Sequence, residues 1–226
     1  MTEEQVRLLC DNAKYDYKVL MTFLYDSGIR SPTELVNIKV FDLDASCEQL
    51  EIRDETSKTF GRKIKLLLSS NLLKEYIQRK ELEPDDYLFP ITPFVTNKYI
   101  KRLAQRVLGD GTTKAGQKYS QLTMYDFRHC SACYWLPRYK TESGMKYRFG
   151  WKRSEMIHYY TEFLGMKDTI TEEDLLGVNE KTELERKLAK SEKARALTEE
   201  KVEMMHKMLM DLQGEVKSVK QEVNAL

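Results

Sequence analysis

In three short stretches between residues 38 and 66 apolar and charged side chains alternate, and on either side apolar side chains fall at every third or fourth position. That change of period restricts the fold more than any other feature. A period of two puts alternate residues on opposite faces of a strand, and a period of 3.6 lines one face of a helix. The alternating stretches 38–43, 50–53 and 63–66 predict three short antiparallel strands. A polar hairpin loop, Asp54 to Arg62, joins the last two.

Helices are expected around this small sheet. Thr2 precedes Glu3, Glu4 and Gln5, an N-cap with acids in the first turn. Val19, Leu20, Phe23 and Leu24 form an apolar stripe on a helix over 15–26, which Gly28 ends. Further helices are predicted over 69–79, over 97–107, through Arg128 to Leu136 before Pro137, and from about Lys152 through Phe163. The fold class is mainly α with a small antiparallel sheet.

The end of the chain obeys another rule. Val202, Met205, Leu209, Leu212, Val216, Val219, Val223 and Leu226 alternate spacings of three and four, and the other faces are charged. Such a seam suits a second helix, so a parallel coiled coil is expected. Valine at the a positions leans toward two strands, and Glu215 at g meets Lys220 at the next e when the strands are parallel. Three segments follow: a globular domain over 1–165, a linker and helix start over 166–178, and a coiled coil over 179–226. With 226 residues the chain can bury one good core and carry this appendage.

No run of 18 apolar residues is present, so no membrane helix is expected. The acidic, amphipathic start is unlike a signal peptide. Four cysteines scattered over the chain fit an intracellular, reducing compartment better than a disulfide framework. Cys130 and Cys133 lack the second pair that a zinc site would need and read as small buried side chains one turn apart.

Net charge is +1, but its distribution is uneven. Residues 1–95 carry 13 Lys+Arg against 17 Asp+Glu, residues 96–165 carry 13 against 5, and residues 166–226 carry 11 against 14, giving −4, +8 and −3. A basic block confined to one region is the footprint of a polyanion, although a solvated face can carry one too.

Inside that block stand Tyr125-Asp126-Phe127-Arg128-His129, then Phe149-Gly150-Trp151, then Tyr160 nine residues after the tryptophan. Upstream, Arg30 lies in Ser27-Gly28-Ile29-Arg30-Ser31-Pro32-Thr33-Glu34-Leu35, and Lys58 lies near the hairpin tip. Each residue alone has an ordinary reading. Arg30 could be a surface arginine, Lys58 a solvated turn, Trp151 core, Tyr159 and Tyr160 a packing pair, and His129 a buried histidine.

In this order and spacing the set resembles the tyrosine recombinases, the phage-type integrases, over roughly residues 3–176. Phe149 to Asp168 is most similar to archaeal and archaeal-virus members. The segment around Arg30 resembles the first arginine box, Lys58 the hairpin lysine, and Tyr125 to His129 the His-x-x-Arg-His box. Gly150-Trp151 resembles the Gly-His/Trp step, and Tyr160 stands at the nucleophile spacing. Two departures stand out. Tyr125 occupies the usual histidine position and cannot serve as a cationic proton shuttle near neutral pH. Glu34 stands one residue later than in the commonest pattern. The family's usual helical core-binding domain would precede residue 1.

The resemblance implies a site-specific recombinase working on double-stranded DNA without metal or cofactor, in a prokaryotic host. Tyr160 would attack the scissile phosphate and form a 3′-phosphotyrosyl bond. Arg30 and Arg128 would hold the non-bridging oxygens, with Tyr125 and the indole N–H of Trp151 donating to the same group. Lys58 would protonate the leaving 5′-oxygen. The coil would hold a dimer, and four protomers would act on two duplexes. The alternative is an inactive relic that binds DNA and assembles partners through the coil.

Overall fold

The computed structural model describes residues 1–139 and 141–165. The linker and coiled coil expected over 166–226 lie outside the described residues. The unit that contains the described residues runs from Met1 to Lys167.

Two helices open the chain, α1 over Glu3–Asp11 and α2 over Tyr15–Ser27. Thr2 caps α1: its side chain accepts from the Gln5 amide while the Gln5 side chain accepts from the Thr2 amide, so two orphan donors are satisfied reciprocally. The second helix is the centre of the fold. Its residues from Val19 to Ser27 are buried except Thr22, and it packs on α1, on α3 (Ser70–Lys80) and on α5 (Met124–Trp135). The broad apolar stripe read from the sequence is therefore a helix surrounded on several sides. Gly28 ends it at a φ of 64°, a conformation that glycine adopts without a Cβ penalty.

Two strands form, β1 over Gln49–Ile52 and β2 over Arg62–Lys65, paired antiparallel with Leu50 opposite Ile64 and Ile52 opposite Arg62. The strand expected over 38–43 is absent. Val40–Asp42 is a turn of 3-10 helix, and only isolated bridges join Lys39 to Tyr87 and Leu43 to Leu50. The Asp42 carboxylate explains this. It accepts from the Lys39 amide at 2.8 Å and pairs with Arg53 Nε at 2.9 Å, which gives the backbone a local alternative to a ladder.

Helix α4 spans Pro93–Leu108, beginning four residues before the expected start, with Pro93 in the first turn where a missing N–H does no harm. Helix α6, Glu142–Phe149, was not foreseen. Only Met145, Arg148 and Phe149 of it are buried, so it has no apolar stripe for a periodicity argument to find. Helix α7 spans Glu155–Phe163 and begins three residues after the expected Lys152. The main core gathers α1 to α5 and the sheet. A second cluster joins Ala132 and Trp135 to Met145, Phe149, Trp151 and Tyr160, and so packs α5, α6 and α7 together. Among the described residues no helix is long and apolar enough to cross a membrane.

Candidate active site

Two helix-ending glycines organise the site. The Gly28 carbonyl accepts from Arg128 Nη1, and the Gly150 carbonyl accepts from Arg30 Nη2 at 2.7 Å. Gly150 ends α6 at a φ of 61° and lies where a Cβ would meet Thr59 Oγ1, Arg30 Nη1 and Arg62 Nη1 at 3.0–3.1 Å. The absent side chain lets three polar groups close around that turn. Arg128 Nη2 donates to the Phe149 carbonyl at 2.7 Å, and the guanidinium lies 5.3 Å from the centre of the Phe149 ring. Each arginine is thus tied from at least two sides, and each keeps further N–H groups, since a guanidinium carries five.

Glu34 is the counter-charge and is fully buried. Its Oε1 accepts from Arg30 Nη1 at 2.7 Å and from Arg62 Nη1 at 3.0 Å, and its Oε2 accepts from Arg62 Nη2 at 2.8 Å and from the Arg30 amide at 2.8 Å. Burial alone would raise the Glu34 pKa; its hydrogen bonds and charge contact with Arg62, and then Arg30, overcome this and lower it from 4.5 to about 2. Burial first, then the neighbouring charges of Arg30 and Arg62, push the Arg128 pKa down to about 10, so it stays cationic at neutral pH. Three guanidinium groups against one carboxylate leave a local charge of +2, held by a fixed frame.

Lys58 is exposed on the hairpin loop and makes no ion pair among the described residues. Its neighbours anchor the loop beside the site: Thr59 Oγ1 donates to the Gly150 carbonyl at 3.1 Å, and the Phe60 ring stacks on Tyr147 with centroids 6.2 Å apart. An exposed cation on a tethered loop can reach a bound anion.

Trp151 is buried between Phe149, centroids 4.8 Å apart, and Tyr160, 5.7 Å apart with planes 16° from parallel. The three rings run from beneath Arg128 to α7. The indole N–H expected to donate has no partner among the described residues. Tyr160 is 3 % exposed and Tyr159 is 50 % exposed, as two adjacent helix residues facing about 100° apart require. Burial raises the Tyr160 pKa well above the usual phenol range. Its hydroxyl meets His129 Nδ1 at 2.5 Å. Tyr125, half exposed, sets its ring edge-on to His129 with centroids 4.9 Å apart.

The structure brings Arg30 and Arg128 together through Gly28, Phe149 and Gly150, stacks Trp151 on Tyr160, and leaves Lys58 and Tyr125 open at the rim. Sequence reasoning gave no role to Arg62 or to the supporting pair Arg148 and Asp26, and it read His129 as a buried histidine without its contact to Tyr160. Arg62 was legible in principle, since β2 alternates and Arg62 falls on the inward face with Ile64. Arg148 is buried, donating from Nη2 to the Asp26 carbonyl at 2.5 Å and from Nη1 to the Lys65 carbonyl at 2.9 Å, and it ties α6 to α2 and the sheet. Nothing in the local pattern marks it.

Residues 1–167 match the family model described as the phage integrase family. No curated protein matches the chain. Among solved structures, it is similar to the XerA recombinase, with a TM-score of 0.58 and 17% identity over 77% of this chain and 60% of that one. It is similar to the XerH site-specific recombinase bound to difH substrate, at a TM-score of 0.53 and 16% identity over 74% of this chain and 52% of that one. It is also similar to a lambda integrase dimer bound to a COC′ core site, at 0.56 and 16% over 76% and 50%. These likenesses concern the fold, and the chain spans between half and two thirds of the length of those proteins.

Proposed function

Because the chain belongs to the phage integrase family, we propose that it cuts and rejoins double-stranded DNA through a 3′-phosphotyrosyl bond to Tyr160. The observation that carries this reading is the rigid cluster of Arg30, Arg62 and Arg128 around the single carboxylate of Glu34. A preorganised +2 site suits the non-bridging oxygens of a phosphodiester, whose charge grows as an oxygen attacks. Arg30 and Arg128 supply the forked donors, Lys58 protonates the departing 5′-oxygen, and Tyr125 at the rim donates to a phosphate oxygen. Trp151 keeps water from the linkage. The bond energy is retained in the phosphotyrosine, so rejoining needs no nucleotide. The structures of the XerH recombinase bound to difH substrate and of a lambda integrase dimer bound to a COC′ core site support DNA and more than one protomer as the setting.

The test is covalent capture. The chain is incubated with short nicked duplexes of randomised sequence, so that the fragment beyond the cut diffuses away and the protein stays on the DNA. Mass spectrometry then reads which residue carries the nucleotide. DNA on Tyr160 supports the proposal, and DNA binding without any covalent product overturns it in favour of a non-catalytic assembly protein. Capture is expected to survive EDTA; its loss on chelation would call for a metal mechanism.

Arg128 adds a second expectation. Its removal strips partners from two buried carbonyls as well as from the phosphate, so Arg128→Ala should lose both cleavage and stability, the latter by about 1–3 kcal/mol. Arg128→Lys keeps the charge but not the fork and should fold while cleaving at least about a hundredfold more slowly. DNA affinity should persist in the lysine variant and fall with salt by a log–log slope of about −0.9 per phosphate contacted. Wild-type cleavage by the lysine variant, or a flat salt profile, would contradict this. The seam over 202–226 is proposed to join protomers as a parallel dimer. Sedimentation of the full chain against one ending at residue 178 measures it, and the same number of protomers in both would remove the dimer.

A further inference from the structure

The contact between His129 and Tyr160 has no counterpart among the roles assigned so far. His129 lies one turn after Tyr125 on α5, and so on nearly the same face. Its Nδ1 is 2.5 Å from the Tyr160 hydroxyl and has no other partner among the described residues. No second side-chain nitrogen or oxygen of the described residues hydrogen-bonds that hydroxyl. The other groups in reach are poor proton acceptors. Tyr125 is a phenol. The buried Cys130 and the half-buried Cys133 line the same cleft, and burial raises the pKa of both thiols, that of Cys130 to about 11. A phenol that is to attack phosphorus must lose its proton, and burial here makes spontaneous ionisation of Tyr160 harder.

We propose that His129 is the general base of the cleavage step, taking through Nδ1 the proton that Tyr160 loses as it attacks. It stands directly after Arg128, where the residue alone read as a buried histidine, and it meets the need left by Tyr125. The inference rests on the recombinase reading. As the Tyr160 Oη–phosphorus bond forms, the bond from phosphorus to the 5′-oxygen breaks. The phenolic proton passes to Nδ1 and His129 becomes imidazolium, while the 5′-oxygen takes a proton from Lys58 and leaves as a hydroxyl. Rejoining runs in reverse, with His129 returning its proton to the departing phenolate. In the resting state Nδ1 must be bare, which requires the Nε2–H tautomer. Burial first, then Arg128 and the Met1 amine, lower the His129 pKa, against an opposing effect of Asp126 on the same helix. The imidazole is therefore neutral at pH 7. From α7 only the neutral Tyr160 hydroxyl faces it at hydrogen-bond distance.

The experiment measures the rate of covalent capture against pH, with the duplexes recovered from the randomised pool. Wild type should lose rate as pH falls through the His129 pKa, below the ordinary 6.5. His129→Gln keeps a polar planar side chain but accepts no proton. It should be slower by about 10²–10⁴-fold and lack that acid limb. Added imidazole should restore part of the rate to His129→Ala and none to His129→Gln. If the alanine variant does not fold, the glutamine variant decides. A histidine NMR titration adds a readout without DNA: the His129 pKa should differ between wild type and Tyr160→Phe, and an unchanged value would overturn the contact. Capture by His129→Gln at or above the wild-type rate would overturn the base and make the contact a resting latch. If wild type itself captures no DNA, the recombinase reading falls and takes this one with it; if only His129→Gln proves indifferent, the recombinase reading stands.

Discussion

Tyr160→Phe is expected to abolish covalent capture of DNA, and Tyr159→Phe to leave it intact. The two side chains are neighbours in sequence, and their surroundings differ. Tyr160 is buried, with its ring on Trp151 and its hydroxyl on His129 Nδ1, within the cluster that ends beneath Arg128. Tyr159 stacks on Phe163 at the surface, with ring centroids 6.3 Å apart. Phenylalanine at 160 keeps the ring stack and removes one hydrogen bond, a loss of about 1 kcal/mol that leaves the fold standing. A complete loss of covalent product from a folded variant then measures the missing nucleophile rather than damage. A denaturing gel separates free from DNA-linked protein. Capture by Tyr160→Phe and its loss in Tyr159→Phe would reverse the assignment.

Glu34→Ala should be the most destabilising single change at the site. The carboxylate accepts from both Arg30 and Arg62, and the Arg62–Glu34 pair has no exposed side-chain surface at either end. Without it Arg30, Arg62 and Arg128 face one another with no counter-charge. Breaking a buried pair on one side costs about 3–5 kcal/mol, because the stranded charge cannot reach water. The melting temperature should fall by on the order of 10 °C, and cleavage should fall with it as Arg30 loosens. Glu34→Gln keeps the shape and should lose less stability. The sign of the pH effect follows from the depressed carboxyl. Its ordinary value is 4.5 and its folded value about 2, so its stabilisation is fully present above about pH 4.5 and is lost as pH falls toward 2. Urea unfolding across that window measures it: wild type should weaken on acidification more than Glu34→Gln. Equal slopes, or an alanine variant that melts with wild type, would show that the pair does not hold the site.

Much of the fold was legible because local rules set it. Thr2 and Gly28 mark helix ends by groups within a few residues of each other, and the α2 stripe and the 50–66 hairpin obey their periods. The failures have the same kind of cause. Asp42 turned a strand-like alternation into a 3-10 turn through its own side chain. Helix α6 buries too few residues to show a period, and it forms where its far end can pack on α2 through Arg148.

The sequence by itself determined a mainly helical chain with a small antiparallel sheet and the place of the basic block, because each rests on period or charge along the chain, while Arg30, Lys58, Tyr125, Arg128, Trp151 and Tyr160 were proposed from their resemblance to the recombinase boxes. Tertiary structure alone decided what surrounds them. Residues separated by 120 positions meet when Arg30 donates to Gly150, residues separated by 28 meet when Arg62 closes on Glu34, and residues separated by 31 meet at His129 and Tyr160. A hydrogen bond between distant residues leaves no periodic trace in the chain. Its partners can be read only when packing of the apolar faces has brought the backbone turns together.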